Sequence, residues 1–373
     1  MNDDVNLLYT DVETALRESV SDLLTARCSP EKVIAVFDGD REIQPKLWRS
    51  LALDLGLAGL LVPEERGGAG ASAREAAVVL EELGRFAAPV PFLTSSVIAS
   101  AALLHAGDDR LLATVASGER TAAVVVPFST APNDLRPTVR ADGQGALNGR
   151  VTSVAGALEA DVLLVPVAAQ DGVELHAVEA GAASVTPVVS MDMTRQLADV
   201  DLDAAPGTRV VEAGGDTAVR GALELGAALI ASEQLGVAQW CLDTTVSYLR
   251  ERTQFGRSVG GFQAIKHRLA DLYVTTESAR AAARYAAATA ADEDSDRHVA
   301  ALMAKSYCSE AAVRAAEECV QLHGGIGMTW EHPAHLYLKR AKADQIALGN
   351  PQAARRQLGE LVDLPMPPAG STA

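Results

Sequence analysis

Hydrophobic and polar positions change rhythm along the chain. From residue 1 to about 118, apolar residues recur every three or four positions, as in KLWRSLALDLGLAGLLV, the spacing of helices with one buried face. The turn VPEERGGAG interrupts that rhythm. SAREAAVVLEELGRF then restarts it, with Ser72 placed as N-cap and Glu75 three residues on. PVPFLTSSVIASAALLHAG predicts a further helix after a proline break.

At Ala122 the rhythm shortens. AAVVVPF, ADVLLVPVA and VELHAVEA are short β-rich runs separated by Gly, Pro, Asn and Asp, as in TVRADGQGALNGR, and this texture continues to about residue 210. Helical spacing returns near Thr217 and lasts to Leu361. ALELGAALIASEQLGVAQWCLDTTVSYLRE is apolar around much of its circumference, which implies burial on more than one side. Three more helical stretches follow: QAIKHRLADLYVTTESARAAARYAAAT, HVAALMAKSYCSEAAVRAAEECVQLH and AHLYLKRAKADQIALG. The expected fold class is α+β: an all-α domain over 1–118, a compact β domain over 119–212 and a four-helix bundle over 213–363, with a disordered tail over 364–373.

Composition removes several function classes. A chain of 373 residues has room for two or three domains. Its 32 Lys and Arg against 49 Asp and Glu, a formal charge of −17, disfavour a nucleic-acid partner, which needs clustered cations. Cys28, Cys241, Cys308 and Cys319 are scattered without CxxC or Cys/His spacing, so neither a disulfide framework nor a metal site is expected, and a reducing compartment fits. MNDDVNLLYT lacks an apolar signal core, and no apolar run reaches the roughly 18 residues that span a bilayer. A cytoplasmic location with no membrane partner is the expectation. His323, His332 and His335 match no zinc spacing and read as packing or surface residues, and DEDSD at 292–296 reads as a solvated turn.

Two stretches carry chemistry. RTQFGRSVGGFQAIKH breaks the helical pattern at Arg252 and opens into Gly256, Gly260 and Gly261 before a new helix begins at Gln263. A guanidinium fork suits a pyrophosphate, glycines let backbone N–H groups approach it, and a helix start adds amides. QLHGGIG repeats the arrangement, with the Gln321 amide and with Gly324, Gly325 and Gly327 clearing space.

Together with VPEERGG, QLHGGIGMTWEHPAHLYLKRAK and the frame SGER…LNGR…AD, these stretches resemble the acyl-CoA dehydrogenase family over nearly the whole chain. The resemblance implies a helical domain, a β-barrel-like middle domain and a C-terminal four-helix bundle. It also implies FAD as cofactor, an acyl-CoA substrate and an electron-transfer flavoprotein or similar acceptor. In the family, the corresponding positions of one subunit hold the adenosine and pyrophosphate of the FAD bound chiefly by its neighbour. Carried over, the contacts are Arg252, Gln254 or Phe255, Gln263, Gln321, Gly324 and Gly325.

Other positions depart from the family. Its catalytic base is a glutamate, needed to take the α-proton while flavin takes the hydride. At one family position for that base the chain has Leu348, and at the other it has Gly226, followed by Ala227 in place of an arginine. Glu224 and Glu233 are near but out of register, and Glu233 reads better as a structural contact. Pro127 and Phe128 stand where the family's flavin-binding Thr-Glu would be, and Ser153 and Ala155 replace its second flavin contact. Proline has no backbone donor.

What would reach a neighbour's cofactor is kept, while what would hold this chain's own flavin ring is lost. The chain therefore looks like the base-less subunit of the α2β2 heteromers that actinobacterial-type members form, which handle CoA thioesters of bulky acids, sterol side chains included. A self-sufficient homotetramer with Glu233 or Glu224 as base remains an alternative, as does a non-redox protein binding acyl-CoA or a partner.

Overall fold

A computed structural model describes residues 6–170, 172–211 and 214–362, and the expected tail over 364–373 lies outside them. The first layer is helical: α1 (Asp11–Arg27), α2 (Pro30–Phe37), α3 (Ile43–Arg49), α4 (Ala73–Arg85), α5 (Ser100–Ala106) and α6 (Asp109–Ala116). Ser72 and Glu75 form the capping box expected of them, satisfying the first amides of α4. KLWRSLALDLGLAGLLV does not stay one helix. It loosens into a π-helical turn at Ser50–Asp54 and is broken at Gly56, whose φ of +69° is open to glycine without a Cβ penalty.

The middle domain consists of β1 (Ala122–Val124), β2 (Arg140–Ala141), β3 (Leu147–Ala155), β4 (Val162–Ala169), β5 (Gly172–Glu179), β6 (Ser184–Val188), β7 (Leu197–Ala205) and β8 (Thr208–Val211). They form two four-stranded sheets, ordered β1-β4-β5-β8 and β2-β3-β7-β6. Leu147, Val154, Val200, Leu163, Val165 and Val178 from both sheets share one apolar core, and a single parallel bridge, Val139 to Val167, joins the sheets at one corner. TVRADGQGALNGR, which reads as a separator, contains β2 and the start of β3. Its turn is closed by the Asp142 carboxylate, which accepts from the Gln144 and Ala146 amides.

The last domain holds α7 (Gly215–Glu251), the hairpin β9 (Thr253–Gln254) and β10 (Arg257–Ser258), then α8 (Gln263–Ala291), α9 (Arg297–His323), α10 (Ala334–Ile346) and α11 (Pro351–Leu361). Three of these helices are long, whereas α10 has 13 residues. A fifth, α11, lies beyond the four that periodicity reveals, started by Asn350, whose side chain accepts from Ala353 N–H, and by Pro351 in the first turn. Alanines at 228, 231, 279, 283, 286, 300 and 304 line the seam between α7, α8 and α9 and let the three pack closely. At Gly84 and Gly236 the backbones of α4 and α7 touch: a Cβ at either would overlap a carbonyl oxygen of the other helix, Glu233 or Glu81. That crossing fixes the first helical domain on the bundle.

Candidate functional site

Three regions of this scaffold bear on function. The first lies at the end of the bundle where α7 and α9 both finish. The Tyr248 ring stacks on His323 with centroids 4.5 Å apart, so the chain leaving α7 and the chain leaving α9 emerge side by side. Arg252 caps α7, and Gln254 and Phe255 form the tip of the β9–β10 hairpin. Phe255 is 92% exposed at a φ of +52°. Gln263 is the first residue of α8 and faces solvent, as do Gln321, Gly324 and Gly325 at the end of α9. Nothing lies within 4 Å of where a Cβ on Gly256, Gly324 or Gly325 would sit, so the backbone there is open to a ligand. The fold thus brings together both halves of the expected set, Arg252, Gln254, Phe255 and Gln263 with Gln321, Gly324 and Gly325, on one outward-facing surface.

His323 is buried at its edge. Its Nδ1 lies 2.7 Å from the Cys319 carbonyl, and its ring sits 4.3 Å from that of His332. His335 stacks on Trp330. Among the described residues no cluster could hold a metal, and all four cysteines are free.

The second region is the junction of the three domains, where Leu348, Gly226, Phe128 and Ala155 meet. Leu348 N–H donates to the Phe128 carbonyl (2.7 Å), Gly349 N–H to that of Ser129 (3.2 Å), and Phe128 N–H to that of Ser153 (2.9 Å). This ladder ties the loop after α10 to the loop after β1. Leu348 adopts φ +53°, an unfavourable region for a side-chain-bearing residue, and the ladder holds it there. Leu348 and Phe128 are buried, and with Thr94, Ile98, Leu223 and Ala155 they reduce the space between the domains to about 20 Å³. That holds one water at most. Pro127 is exposed, and the Ser153 amide is taken by Asp199 (3.0 Å). A flavin ring does not fit at this junction, because the space is filled by side chains.

A larger cavity of about 380 Å³ opens on the other side of Leu348, between α7, α9 and α11. Ala227, Ala301 and Leu302 make its walls apolar, and Glu224, in contact with the His298 ring, also lines it. Glu224 is two residues from Gly226 and so projects about 200° around α7 from it.

The third region settles the place of Glu233. Its carboxylate is 1% exposed and accepts from Arg195 (2.7 and 2.6 Å) and from Arg340. Arg340 also donates to Asp192 (2.5 Å) and Thr194, and Arg195 to Asp344 (2.6 Å). Lys305 donates to the Asp344 carbonyl (2.6 Å) and to Ser309 (3.1 Å). Burial alone would raise the Glu233 carboxyl, but Arg195 and Arg340 hold it below its ordinary value. A carboxylate so held is a poor proton acceptor and is out of reach of a substrate. Burial, with Glu233 close by, pushes Asp344 up to about 7, and burial brings Lys305 down to about 8. This inter-domain network escapes sequence reading because Arg195, Arg340 and Asp344 look like solvated charges. For Arg340 and Asp344 the available signal was their place inside apolar helical spacing, as in HLYLKRAKADQI; Arg195, in the loop before β7, offered none.

Models of the acyl-CoA dehydrogenase N-terminal domain and C-terminal domain match residues 10–119 and 213–362. The chain is 38% identical to acyl-CoA dehydrogenase IpdE2 of Mycolicibacterium smegmatis over 343 residues, covering 92% of this chain and 96% of that one. Its fold is similar to the ChsE4-ChsE5 complex of Mycobacterium tuberculosis, with a TM-score of 0.85 at 28% identity over 97% of this chain and 100% of that chain. It is also similar to a Tcur3481-Tcur3483 steroid ACAD variant, with a TM-score of 0.83 at 33% identity over 95% and 98%.

Proposed function

The chain belongs to the acyl-CoA dehydrogenase family, a family of oxidoreductases acting on acyl-CoA, and within it we propose that this chain is the non-catalytic subunit of a heteromeric, FAD-dependent enzyme. In this reading a paralogous subunit carries the base and the flavin ring. FAD, when bound, supplies the hydride acceptor for α,β-desaturation. This chain's part is to hold the dinucleotide end of the partner's cofactor with Arg252, Gln254 or Phe255, Gln263, Gln321, Gly324 and Gly325. An electron-transfer flavoprotein or similar acceptor would take the electrons onward.

One observation carries the proposal: the outward surface at the ends of α7 and α9 is open, whereas the inward junction at Leu348 is closed to about 20 Å³. The complex named for ChsE4 and ChsE5 and the paired Tcur3481 and Tcur3483 support a two-chain assembly, and the steroid description of the latter favours a bulky or sterol-derived acyl group. The cavity beside Leu348, largely apolar, suits part of such a thioester.

The test is to purify the chain alone and co-expressed with a paralogous dehydrogenase that has a base, and to add acyl-CoA. Bleaching of flavin absorbance only in the co-expressed protein, unaffected by Glu224→Gln or Glu233→Gln in folded protein, is the expected result. Bleaching by the isolated chain, abolished by Glu224→Gln, would instead make it a self-sufficient dehydrogenase.

A further inference from the structure

A cleft of about 660 Å³ lies between α3 and the β domain, lined by none of the residues assigned above. Its size falls within the range of about 300–1,000 Å³ usual for small-molecule sites. Its walls are apolar where Trp48, Leu158 and Pro187 face it, and polar where Arg41, Glu159 and Gln196 do.

The polar groups divide into two sets. Two neighbouring charges are matched, as Arg120 donates to Glu179 (2.5 Å) and Asp161 accepts from the Thr121 amide and hydroxyl (2.8 and 3.0 Å), whereas Glu119 is exposed. The other set is unmatched. Gln196 is 7% exposed, yet its buried Oε1 has no donor, an uncommon condition that protein interiors seldom tolerate. Among the described residues no cation comes within ion-pair distance of the Glu159 carboxylate, and burial raises its pKa, with its own backbone amide, Arg41 and Arg195 opposing only in part. The Arg41 guanidinium has no hydrogen bond or ion pair among them either, although it lies close enough to Glu159 to be felt by it. The cleft therefore presents the Glu159 carboxylate and the Arg41 guanidinium beside an indole, with Glu119 also in its lining.

We propose that this cleft binds a zwitterionic α-amino acid with an apolar side chain, its ammonium on Glu159, its carboxylate on Arg41 and its side chain against Trp48. A simple amine would leave Arg41 unmatched and opposed to it, and a simple acid would meet Glu159. The zwitterion satisfies both charges and rests its body on the apolar wall. Because the cleft joins α3 to the β domain, occupancy also clamps the two domains together and stabilises the folded chain. The inference is independent of the role assigned to the Arg252 surface.

The test uses the full chain, with L-phenylalanine, phenethylamine and 3-phenylpropionate as probes in calorimetry and thermal unfolding. L-Phenylalanine is expected to give a saturable isotherm and raise the unfolding midpoint. Each analogue lacking one charge should bind about tenfold or more weakly, the loss of one charge-assisted contact. Glu159→Gln should erase the preference for the ammonium, and Arg41→Met that for the carboxylate, with far-ultraviolet dichroism confirming that both variants fold. No saturable binding of phenylalanine, equal binding of all three probes, or undiminished binding to the folded double variant would each overturn the proposal.

Discussion

A Cβ placed on Gly226 would lie 3.2 Å from Leu348 Cδ1 and 2.8 Å from Ile98 Cγ1. The two positions that the sequence resemblance assigns to the family's base therefore converge on one point, reached from α7 on one side and from the loop after α10 on the other. In this protein both are apolar, and Ile98 fills the space between them. In the proposed reading, the loss of the base and the closing of the pocket are one change in packing.

Leu348→Glu tests that relationship. The new carboxyl would enter a space of about 20 Å³ walled by Ile98, Phe128 and Leu223, with no donor provided for it. Burying such a group costs about 1–3 kcal/mol. The expected outcome is a lower urea midpoint and no flavin bleaching by acyl-CoA in the isolated variant. Gain of bleaching would mean that the pocket opens readily enough to hold a flavin ring.

The Asp344 carboxyl gives a pH dependence of defined sign. Its folded pKa, about 7, lies above the ordinary carboxylate value, so the folded state holds more protons than the unfolded state between about pH 4 and 7. Through this group, stability falls as pH rises across that window. Asp344→Asn keeps an acceptor for Arg195 but cannot ionise. Denaturation at pH 5 and at pH 8 should show the variant gaining on the wild-type protein at the higher pH. A constant difference between the two proteins would contradict this.

Arg252 and Gln321 are exposed, so removing them should leave the fold intact and act on cofactor retention alone. Loss of a guanidinium–phosphate contact is worth about 1.5–3 kcal/mol, or roughly ten- to a hundredfold in affinity. Arg252→Ala, co-expressed with a base-bearing partner, should assemble normally and lose flavin on dialysis faster than the wild-type assembly. Unchanged retention in an intact assembly would remove Arg252 from the cofactor surface.

What could be read from the sequence followed from local physics. Ser72 with Glu75 marks a helix start, and Arg252 followed by glycines marks a helix end, because caps and positive φ are decided within a few residues. Leu348, Gly226 and Pro127 were legible as departures, since the chemistry they lack is a property of the side chain itself. Their convergence was not legible, for it depends on the π-helical segment Phe92–Ala99, just before α5, delivering Ile98 into the same space. Glu233 shows the same division. Its register argued against a catalytic role, but Arg195 and Arg340, the residues that occupy it, lie 38 and 107 positions away. The helix α11 was within reach of the sequence, through Asn350 and Pro351, although its short apolar pattern gave periodicity little to show.

The central claim is that this chain helps to bind a flavin whose ring belongs to another polypeptide. Counting FAD per chain, by absorbance of released flavin against total protein, tests it most directly. The account predicts one FAD for every two chains in the assembly with a base-bearing partner and none in this chain alone. One FAD per chain, retained by this polypeptide after purification without a partner, would contradict it.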